Sequence, residues 1–270
     1  MRDRLTQPQG SESVWDRLAR NYGLAGPDHF SVFARRLIEV VPLEPNAVVL
    51  DLACGAGALV SAVTSAALPA RLVAVDRSVA MLRRAQRVPV HGARCAVAAM
   101  DAELLAFADR TISTVLCGSA LDSFPDPARA LSEVHRVLYP GGSFGLWVAP
   151  SWWWQGDPRW DWHDDLLASL GVTTGQIPAG LDGPASLSQM VQSAGFEHVI
   201  VRVDQLGLCF KDAEEWWQWA WSHGFRQVLE RLPADQLGVY RQAAFDRIER
   251  SGIEGRMQAL IATGDRPRDG

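Results

Sequence analysis

An aspartate and two glycines carry the clearest chemical signal in the first half of the chain. Asp51 lies near the end of the apolar run that begins at Val48, and Gly55 and Gly57 follow it within a short turn. Glycine lets the backbone approach a ligand closely and adopt turn conformations that a Cβ atom penalises. A helix can begin directly after this turn, and its N-terminus would face the same ligand. This order of strand, carboxylate, glycine turn and helix predicts a nucleotide-like cofactor.

Two classes of cofactor can occupy such a turn, and the spacing separates them. The dinucleotide fingerprint needs a third glycine, but Val60 stands at that position. The carboxylate of Asp51 would also lie at the strand end, where a pyrophosphate would be repelled. The residues therefore favour a cationic cofactor without phosphate groups.

The pattern apolar-apolar-Asp-x-x-x-Gly-x-Gly resembles motif I of the class I S-adenosylmethionine-dependent methyltransferases. The chain is most similar to the small-molecule type, such as the ubiquinone and menaquinone methyltransferases. This resemblance implies S-adenosylmethionine as the cofactor, with Asp76 binding the ribose and Asp101 accepting a hydrogen bond from the adenine amino group. The segment from Trp15 to Tyr22 resembles the family's opening helix, which folds over the cofactor. The candidate cofactor contacts are Asp51, Ala53, Gly55, Gly57, Asp76, Arg77, Met81, Met100, Asp101, Ala102, Cys117 and Tyr22.

The elements that must position these residues alternate between strand and helix. After the first strand, apolar runs predict strands over 71–76, 93–98, 111–117 and 143–149, with helices between them. Such alternation is typical of a parallel sheet, whose ligands bind at the carboxyl ends of the strands. Four candidate residues fall at these strand ends: Asp51, Asp76, Asp101 and Cys117.

The expected fold class is α/β, with a Rossmann-like, doubly wound sheet of seven strands and helical cap insertions. The resemblance implies that the sheet is mostly parallel and that the last strand is antiparallel. Further strands are predicted over 197–204 and 256–263. We expect a single methyltransferase domain over 1–270, with a cofactor-binding core over 14–149. Residues 150–185 and 206–252 would form the cap that contacts the substrate.

Methyl transfer requires mainly that a nucleophile is aligned and that water is excluded, so a dedicated catalytic group is not essential. A phenol or alcohol acceptor would benefit from a base. The candidates are His163, His223 and Asp122, although each histidine is also compatible with a structural role. Many relatives carry His or Trp where Asp122 and Ser123 stand, which weakens the transfer of a catalytic role to this loop.

Two clusters of tryptophan occupy the second half of the chain. Five tryptophans lie within 152–162, and four lie within 216–221 in a helix predicted to continue past Leu229. Clusters of this kind either pack the core or form the wall of a pocket for a flat, apolar substrate, and both interpretations stay open. The candidate substrate contacts are Trp15, Trp152, Trp153, Trp217 and Trp221.

Composition excludes several other functions. The net charge of −5 and the pI near 5.7 give no basic surface for a nucleic acid. The four cysteines lack metal-ligand spacing, so we expect reduced thiols and no metal site. No leader or membrane-spanning segment is recognisable, which favours a cytoplasmic protein without a membrane partner. A monomer and a homodimer are both compatible with the sequence.

The leading hypothesis is methyl transfer from S-adenosylmethionine to an O, N or C atom of an apolar, aromatic or polyketide-like small molecule of secondary metabolism. A second hypothesis keeps the cofactor but changes the reaction to a cyclisation or decarboxylation. A third is a non-catalytic, cofactor-binding partner subunit. The aspartates that resemble the family's cofactor contacts argue for cofactor binding, but they do not separate these three.

Overall fold

A computed structural model describes residues 13–66, 71–90, 94–152, 154–155, 157–174 and 178–269. Seven strands form one sheet. They are β1 (Val48–Leu52), β2 (Arg71–Asp76), β3 (Arg94–Ala99), β4 (Ile112–Gly118), β5 (Leu138–Val148), β6 (Glu197–Cys209) and β7 (Glu254–Asp265).

The strand order β3-β2-β1-β4-β5-β7-β6 confirms the predicted doubly wound sheet. Strands β1 to β5 are parallel, and β7 is inserted antiparallel between β5 and β6. Strand β1 lies at the point where the chain reverses its direction across the sheet, between β2 and β4. A crevice forms at such a switch point, next to the carboxyl ends of the strands.

Helices α1 to α5 precede or connect the first five strands. They are α1 (Val14–Leu18), α2 (His29–Ile38), α3 (Ala58–Ser65), α4 (Val79–Ala85) and α5 (Pro127–Val137). Side chains that accept from backbone N–H groups begin several of them, such as Ser78 for α4 and Asp126 for α5. The apolar faces of α3 and α5 are buried on the sheet.

The remaining helices follow β5. They are α6 (Asp161–Ser169), α7 (Pro184–Ser193), α8 (Ala213–Trp221), α9 (Arg226–Leu229) and α10 (Ala234–Ser251). Helix α10 contacts both α6 and α8, and α8 contacts α9. No helix in the described part of the chain is both long and apolar enough to cross a membrane.

Three elements differ from the sequence expectation. The tryptophan-rich helix α8 ends at Trp221 instead of continuing past Leu229, because Ser222 turns its hydroxyl back to the Trp219 carbonyl and Gly224 follows. Strand β5 begins at Leu138 instead of near residue 143, next to an irregularity in the β4–β5 register. Strand β6 extends to Cys209 because it pairs with β7 along almost its whole length.

Candidate active site

A cavity of about 1100 Å³ lies at the carboxyl ends of the central strands. Leu52 of β1, Asp76 of β2 and Gly118 of β4 all line it. Every predicted cofactor contact lines this first cavity except Cys117, which is buried beside Gly118. The residues that the sequence places at the strand ends are therefore brought together in space.

The glycine turn between β1 and α3 forms one wall of the first cavity. Gly55 and Gly57 have φ angles of +53° and +93°, in the left-handed region that favours glycine. A Cβ atom on Gly57 would lie 2.8 Å from Val88 Cγ2, whereas one on Gly55 would meet nothing closer than Tyr22 at 3.9 Å. Gly57 thus permits close packing behind the turn, and Gly55 leaves the cavity open. Ala53 adopts φ +55° in the same turn, which is unusual for a residue with a Cβ atom.

Asp51 is fully buried at the inner wall of the first cavity. Neither of its carboxylate oxygens has a hydrogen-bond partner among the described residues. Burial, together with the charge of Asp76, raises the pKa of Asp51 to about 8. A buried carboxylate without a partner is costly, so this position suits a ligand that brings a cation or hydrogen-bond donors.

Asp76 holds the glycine turn and the start of α4 together. Its carboxylate accepts from the Gly55 N–H (2.9 Å) and from the Ser78 N–H (2.8 Å). Burial raises its pKa. Asp101 lies at the exposed rim, where one oxygen accepts from the Glu103 N–H at 3.0 Å. The two carboxylates face the first cavity from adjacent strand ends.

The N-terminal segment closes the first cavity from above. Asp16 accepts from the hydroxyl of Ser78 at 2.5 Å, at the N-terminus of α4. Arg84 of α4 donates to the backbone carbonyls of Ala19 (3.0 Å) and Tyr22 (2.6 Å). Trp15 and Tyr22 are thereby fixed over the strand ends, where their rings contact each other edge to face.

A second cavity, of about 570 Å³, adjoins the first. Five residues line both cavities, namely Trp15, Tyr22, Phe30, Ser119 and Ser123. Aromatic side chains dominate its other walls, and they come from distant segments: Trp152 after β5, Trp219 in α8, and Phe225 before α9. The two cavities are therefore neighbours that share one wall.

Asp122 lines the second cavity, in the loop after β4. Its side chain is exposed to the open space of the cavity. Neighbouring protein atoms displace part of the surrounding water, and this desolvation raises the pKa of Asp122 to about 6. It is the one carboxylate among the described lining residues, and Arg231 is the one cation.

His223 and His29 also line the second cavity. His223 Nδ1 lies 2.8 Å from the Trp219 carbonyl, and His29 Nδ1 lies 3.4 Å from the Pro27 carbonyl. Burial lowers the pKa of His223 to about 3, with a contribution from His29, and burial lowers the pKa of His29 to about 4. Both rings are therefore neutral at physiological pH.

The third catalytic candidate, His163, lines neither cavity. Its Nε2 atom lies 2.5 Å from the hydroxyl of Tyr240, and burial lowers its pKa. The rings of Trp154 and Phe225 lie against it, at centroid distances of 4.4 and 5.4 Å. This environment is that of a hydrogen-bonded histidine in an aromatic core.

The predicted tryptophan contacts fall into two groups, one at the second cavity and one away from both cavities. Trp15 and Trp152 line the cavity. Trp217 and Trp221 contact each other at 5.9 Å on the outer side of α8, and Trp217 also contacts Phe245. Neither of these two lines the first or the second cavity, so their role in substrate binding stays a prediction. Trp153 lies outside the described residues.

Comparison with known proteins gives the family. A model of the methyltransferase domain matches residues 50–146, which contain the glycine turn, Asp76, Asp101 and the loop of Asp122. Nocamycin O-methyltransferase from Saccharothrix syringae is 29% identical over 83% of this chain and 85% of its own length. Trans-aconitate 2-methyltransferase from Azoarcus sp. (strain BH72) is 28% identical over 78% and 81%. The YcgJ protein from Bacillus subtilis shares the fold, with a TM-score of 0.57 at 19% identity, over 90% of this chain and all of that one.

Residues 50–146 carry a methyltransferase domain, and together with the similarity to methyltransferases over most of the chain this supports an S-adenosylmethionine-dependent methyltransferase. This confirms the resemblance inferred from motif I, the fold class and the cofactor. The methyltransferase also belongs with enzymes that act on small molecules.

The residues of the first cavity fit S-adenosylmethionine. The unpartnered, buried carboxylate of Asp51 can pair with the cofactor's ammonium group, and Asp76 and Asp101 can accept from its ribose and adenine. The open space at Gly55 lets the ligand approach the backbone. Within the described part of the chain, no group of three or more His, Cys, Asp or Glu residues could hold a metal ion.

Sequence reasoning missed several residues that line the two cavities. Asp16 had a usable signal, because it follows Trp15 in the opening helix that resembles the family. His29 and Phe30 had none, since they begin α2 far from every motif. Ser119 adopts φ +53° at the junction of the two cavities, a backbone feature that its residue type does not reveal.

Proposed function

We propose that this methyltransferase transfers a methyl group from S-adenosylmethionine to an oxygen atom of an apolar small molecule bound in the second cavity. The observation that carries the proposal is the shared wall: the aromatic second cavity adjoins the cofactor cavity at Tyr22, Phe30 and Ser119. The acceptor's reacting atom can then approach the cofactor without leaving the protein.

The choice of oxygen is supported by the two relatives that match most of the chain. One is named an O-methyltransferase, and the other acts on trans-aconitate, a molecule whose nucleophilic atoms are carboxylate oxygens. The apolar acceptor is supported by the walls of the second cavity, where Trp152, Trp219 and Phe225 offer large flat surfaces.

When bound, S-adenosylmethionine supplies a methyl group on a sulfonium, which a nucleophile displaces in line. The protein's residues have to orient the acceptor and exclude water. Tyr22 and Trp15 do so from the N-terminal segment, which Arg84 and Ser78 hold in place. The aromatic rings of Tyr22 and Phe30, which contact His223, offer the acceptor's flat body an apolar surface to pack against.

The test is a screen of apolar oxygen acceptors with S-adenosylmethionine that carries a labelled methyl group. We expect at least one acceptor to gain the label on oxygen, with one S-adenosylhomocysteine released for each product formed. A product formed without S-adenosylhomocysteine would contradict methyl transfer and indicate a cyclisation or decarboxylation. Label found on nitrogen or carbon alone would contradict the choice of oxygen.

A further inference from the structure

The second cavity contains two histidines that the proposed function does not use. His29 and His223 lie beside each other, with ring centroids 5.0 Å apart. Phe30 contacts both rings, at 4.1 and 5.3 Å, and Trp219 stacks on His223 at 4.5 Å. These contacts fix the orientation of both rings.

The backbone determines which nitrogen of each ring carries the proton. A carbonyl oxygen can only accept, so the contacts to Trp219 and Pro27 place the proton on Nδ1 of His223 and of His29. A neutral imidazole then has an unprotonated Nε2, which can only accept a hydrogen bond. The hydroxyl of Ser222, 2.9 Å from His223 Nδ1, donates to the Trp219 carbonyl as well.

The Nε2 atoms of His29 and His223 are the ring nitrogens that do not contact the backbone carbonyls. Within the described part of the chain neither has a hydrogen-bond partner, and neither is among the fully buried polar atoms that lack one. Since both residues line the second cavity, their Nε2 lone pairs are accessible from it. The two histidines therefore favour a ligand of this cavity that carries hydrogen-bond donors.

The charge of the same wall also favours an occupant that donates hydrogen bonds. Asp122 is anionic at neutral pH and lines the same cavity. Its charge contributes to raising the pKa of the Tyr22 hydroxyl, and the Tyr22 ring contacts His223. Carboxylate and imidazole lone pairs repel an anionic group and attract a donor. The one cation among the described lining residues, Arg231, uses one of its N–H groups for the Thr173 carbonyl, and its charge opposes that of Asp122.

We propose that His29 and His223 are specificity-determining residues that select a flat acceptor bearing hydroxyl groups, and that they reject acceptors bearing only carboxylates. This inference rests on the proposed function and narrows it from any oxygen atom to a hydroxyl oxygen. Each histidine accepts one hydrogen bond from a hydroxyl group of the methyl acceptor, while Trp152 and Phe225 contact the apolar body of that molecule.

The experiment compares three matched probes by calorimetry, on the full chain saturated with S-adenosylhomocysteine. The probes are 2,3-dihydroxynaphthalene, 2,3-dimethoxynaphthalene and naphthalene-2,3-dicarboxylate. We expect the dihydroxy probe to bind about tenfold more tightly than the dimethoxy probe, the effect of one to two net hydrogen bonds. The dicarboxylate should bind most weakly.

Substitutions assign the effect to the two rings. His29→Phe and His223→Phe should each reduce the tenfold preference to about threefold, and the double variant should abolish it. His223→Gln, which keeps an acceptor atom at a similar distance from the backbone, should retain part of the preference. His198→Phe, a matched change at an exposed site, should leave it intact. Thermal melting of each variant shows that it is folded.

Three results would overturn the inference: tightest binding of the dicarboxylate, no binding of any probe, or a preference that survives in the folded double variant. Product analysis separates this failure from failure of the proposed function. Methylation of a carboxylate probe would preserve oxygen transfer and refute the hydroxyl preference. A histidine-dependent preference without any methylated oxygen would preserve the hydroxyl preference and refute oxygen transfer.

Discussion

The two cavities of this methyltransferase share a wall but are built in different ways. The first is lined by strand ends and by the turns that follow them, so its key residues lie within short motifs such as Asp51–Gly57. The second is assembled from the N-terminal segment, the loop after β4 and the helices after β5. If the first cavity holds the cofactor and the second holds the acceptor, as we propose, residues for a constant ligand are concentrated at the strand ends, and residues for a variable ligand are spread over loops and added helices.

The largest expected effect belongs to the second cavity. If the acceptor is a hydroxyl compound, Asp122 can take its proton, so Asp122→Asn should lower kcat by about a hundredfold to a thousandfold. Affinity for S-adenosylhomocysteine should stay the same, because Asp122 does not line the first cavity. Steady-state kinetics and calorimetry check the two halves of this expectation. A parallel loss of cofactor affinity would show that the cavities are not separate.

The pH dependence of kcat tests the same role of Asp122. A base must be ionised, and the pKa of Asp122 is raised to about 6. Wild-type kcat should therefore be constant above this pH and decrease as the pH falls through it. The Asn variant should lose this step. A wild-type profile without a step near pH 6 would count against Asp122 as the base.

The converse prediction concerns Asp51 in the first cavity. Asp51→Asn should weaken binding of S-adenosylhomocysteine by about a hundredfold, the scale of a lost charged hydrogen bond. Binding of the naphthalene probes to the cofactor-free protein should not change. Calorimetry measures both. Unchanged cofactor affinity would show that Asp51 does not bind the cofactor.

The same variant should alter how stability depends on pH. The pKa of Asp51 is raised from 3.8 to about 8, so between these values the folded protein keeps a proton that the unfolded chain releases. Stability of the cofactor-free protein then decreases as the pH rises through this window. The Asn variant should lose less stability over it, by a few kcal/mol at most. Denaturant titrations at several pH values test this.

A smaller effect is expected behind the glycine turn. Gly57→Ala should lower the free energy of unfolding by about 2 kcal/mol, because it combines a left-handed φ with a contact of 2.8 Å to Val88. Gly171→Ala is the matched control, since Gly171 has φ +76° and nothing within 4 Å of the added atom. It should cost about 1 kcal/mol. Equal losses in denaturant titrations would mean that the packing of Val88 is irrelevant.

The smallest effect compares two tryptophans of the second half. Trp152→Ala should weaken binding of 2,3-dihydroxynaphthalene by about fivefold, because Trp152 lines the second cavity and stacks on Trp154 at 5.1 Å. Trp217→Ala should not affect this binding, since Trp217 packs against Phe245 outside the cavities. Fluorescence or calorimetric titration measures both. The reverse result would indicate that the acceptor binds at the outer face of α8.

The contrast between the cavities also explains what could be predicted from the sequence. The sheet and the first cavity follow from local patterns, because a strand, its terminal acid and the next turn are contiguous in the chain. Asp76 is an example: its position at a strand end was enough to place it. The hydrogen bonds that it accepts from Gly55 and Ser78 could not be read from that position.

The second cavity could not be predicted in this way. Tryptophan has the same signature in a core as in a pocket wall, so Trp152 and Trp217 were indistinguishable until the break after Trp221 was known. His29 lies almost two hundred residues from His223, and only the docking of α2 beside α8 brings the rings together. Long-range contacts of this kind leave no periodicity to detect.

The central claim is that the first cavity holds the cofactor and the second holds the acceptor, with the reacting atoms meeting at the wall they share. A crystal structure with S-adenosylhomocysteine tests it most directly. We predict the cofactor's amino group within hydrogen-bond distance of Asp51, its ribose at Asp76, and its sulfur facing Ser119 and the second cavity. Cofactor density in the second cavity, or a sulfur that faces away from it, would contradict the account.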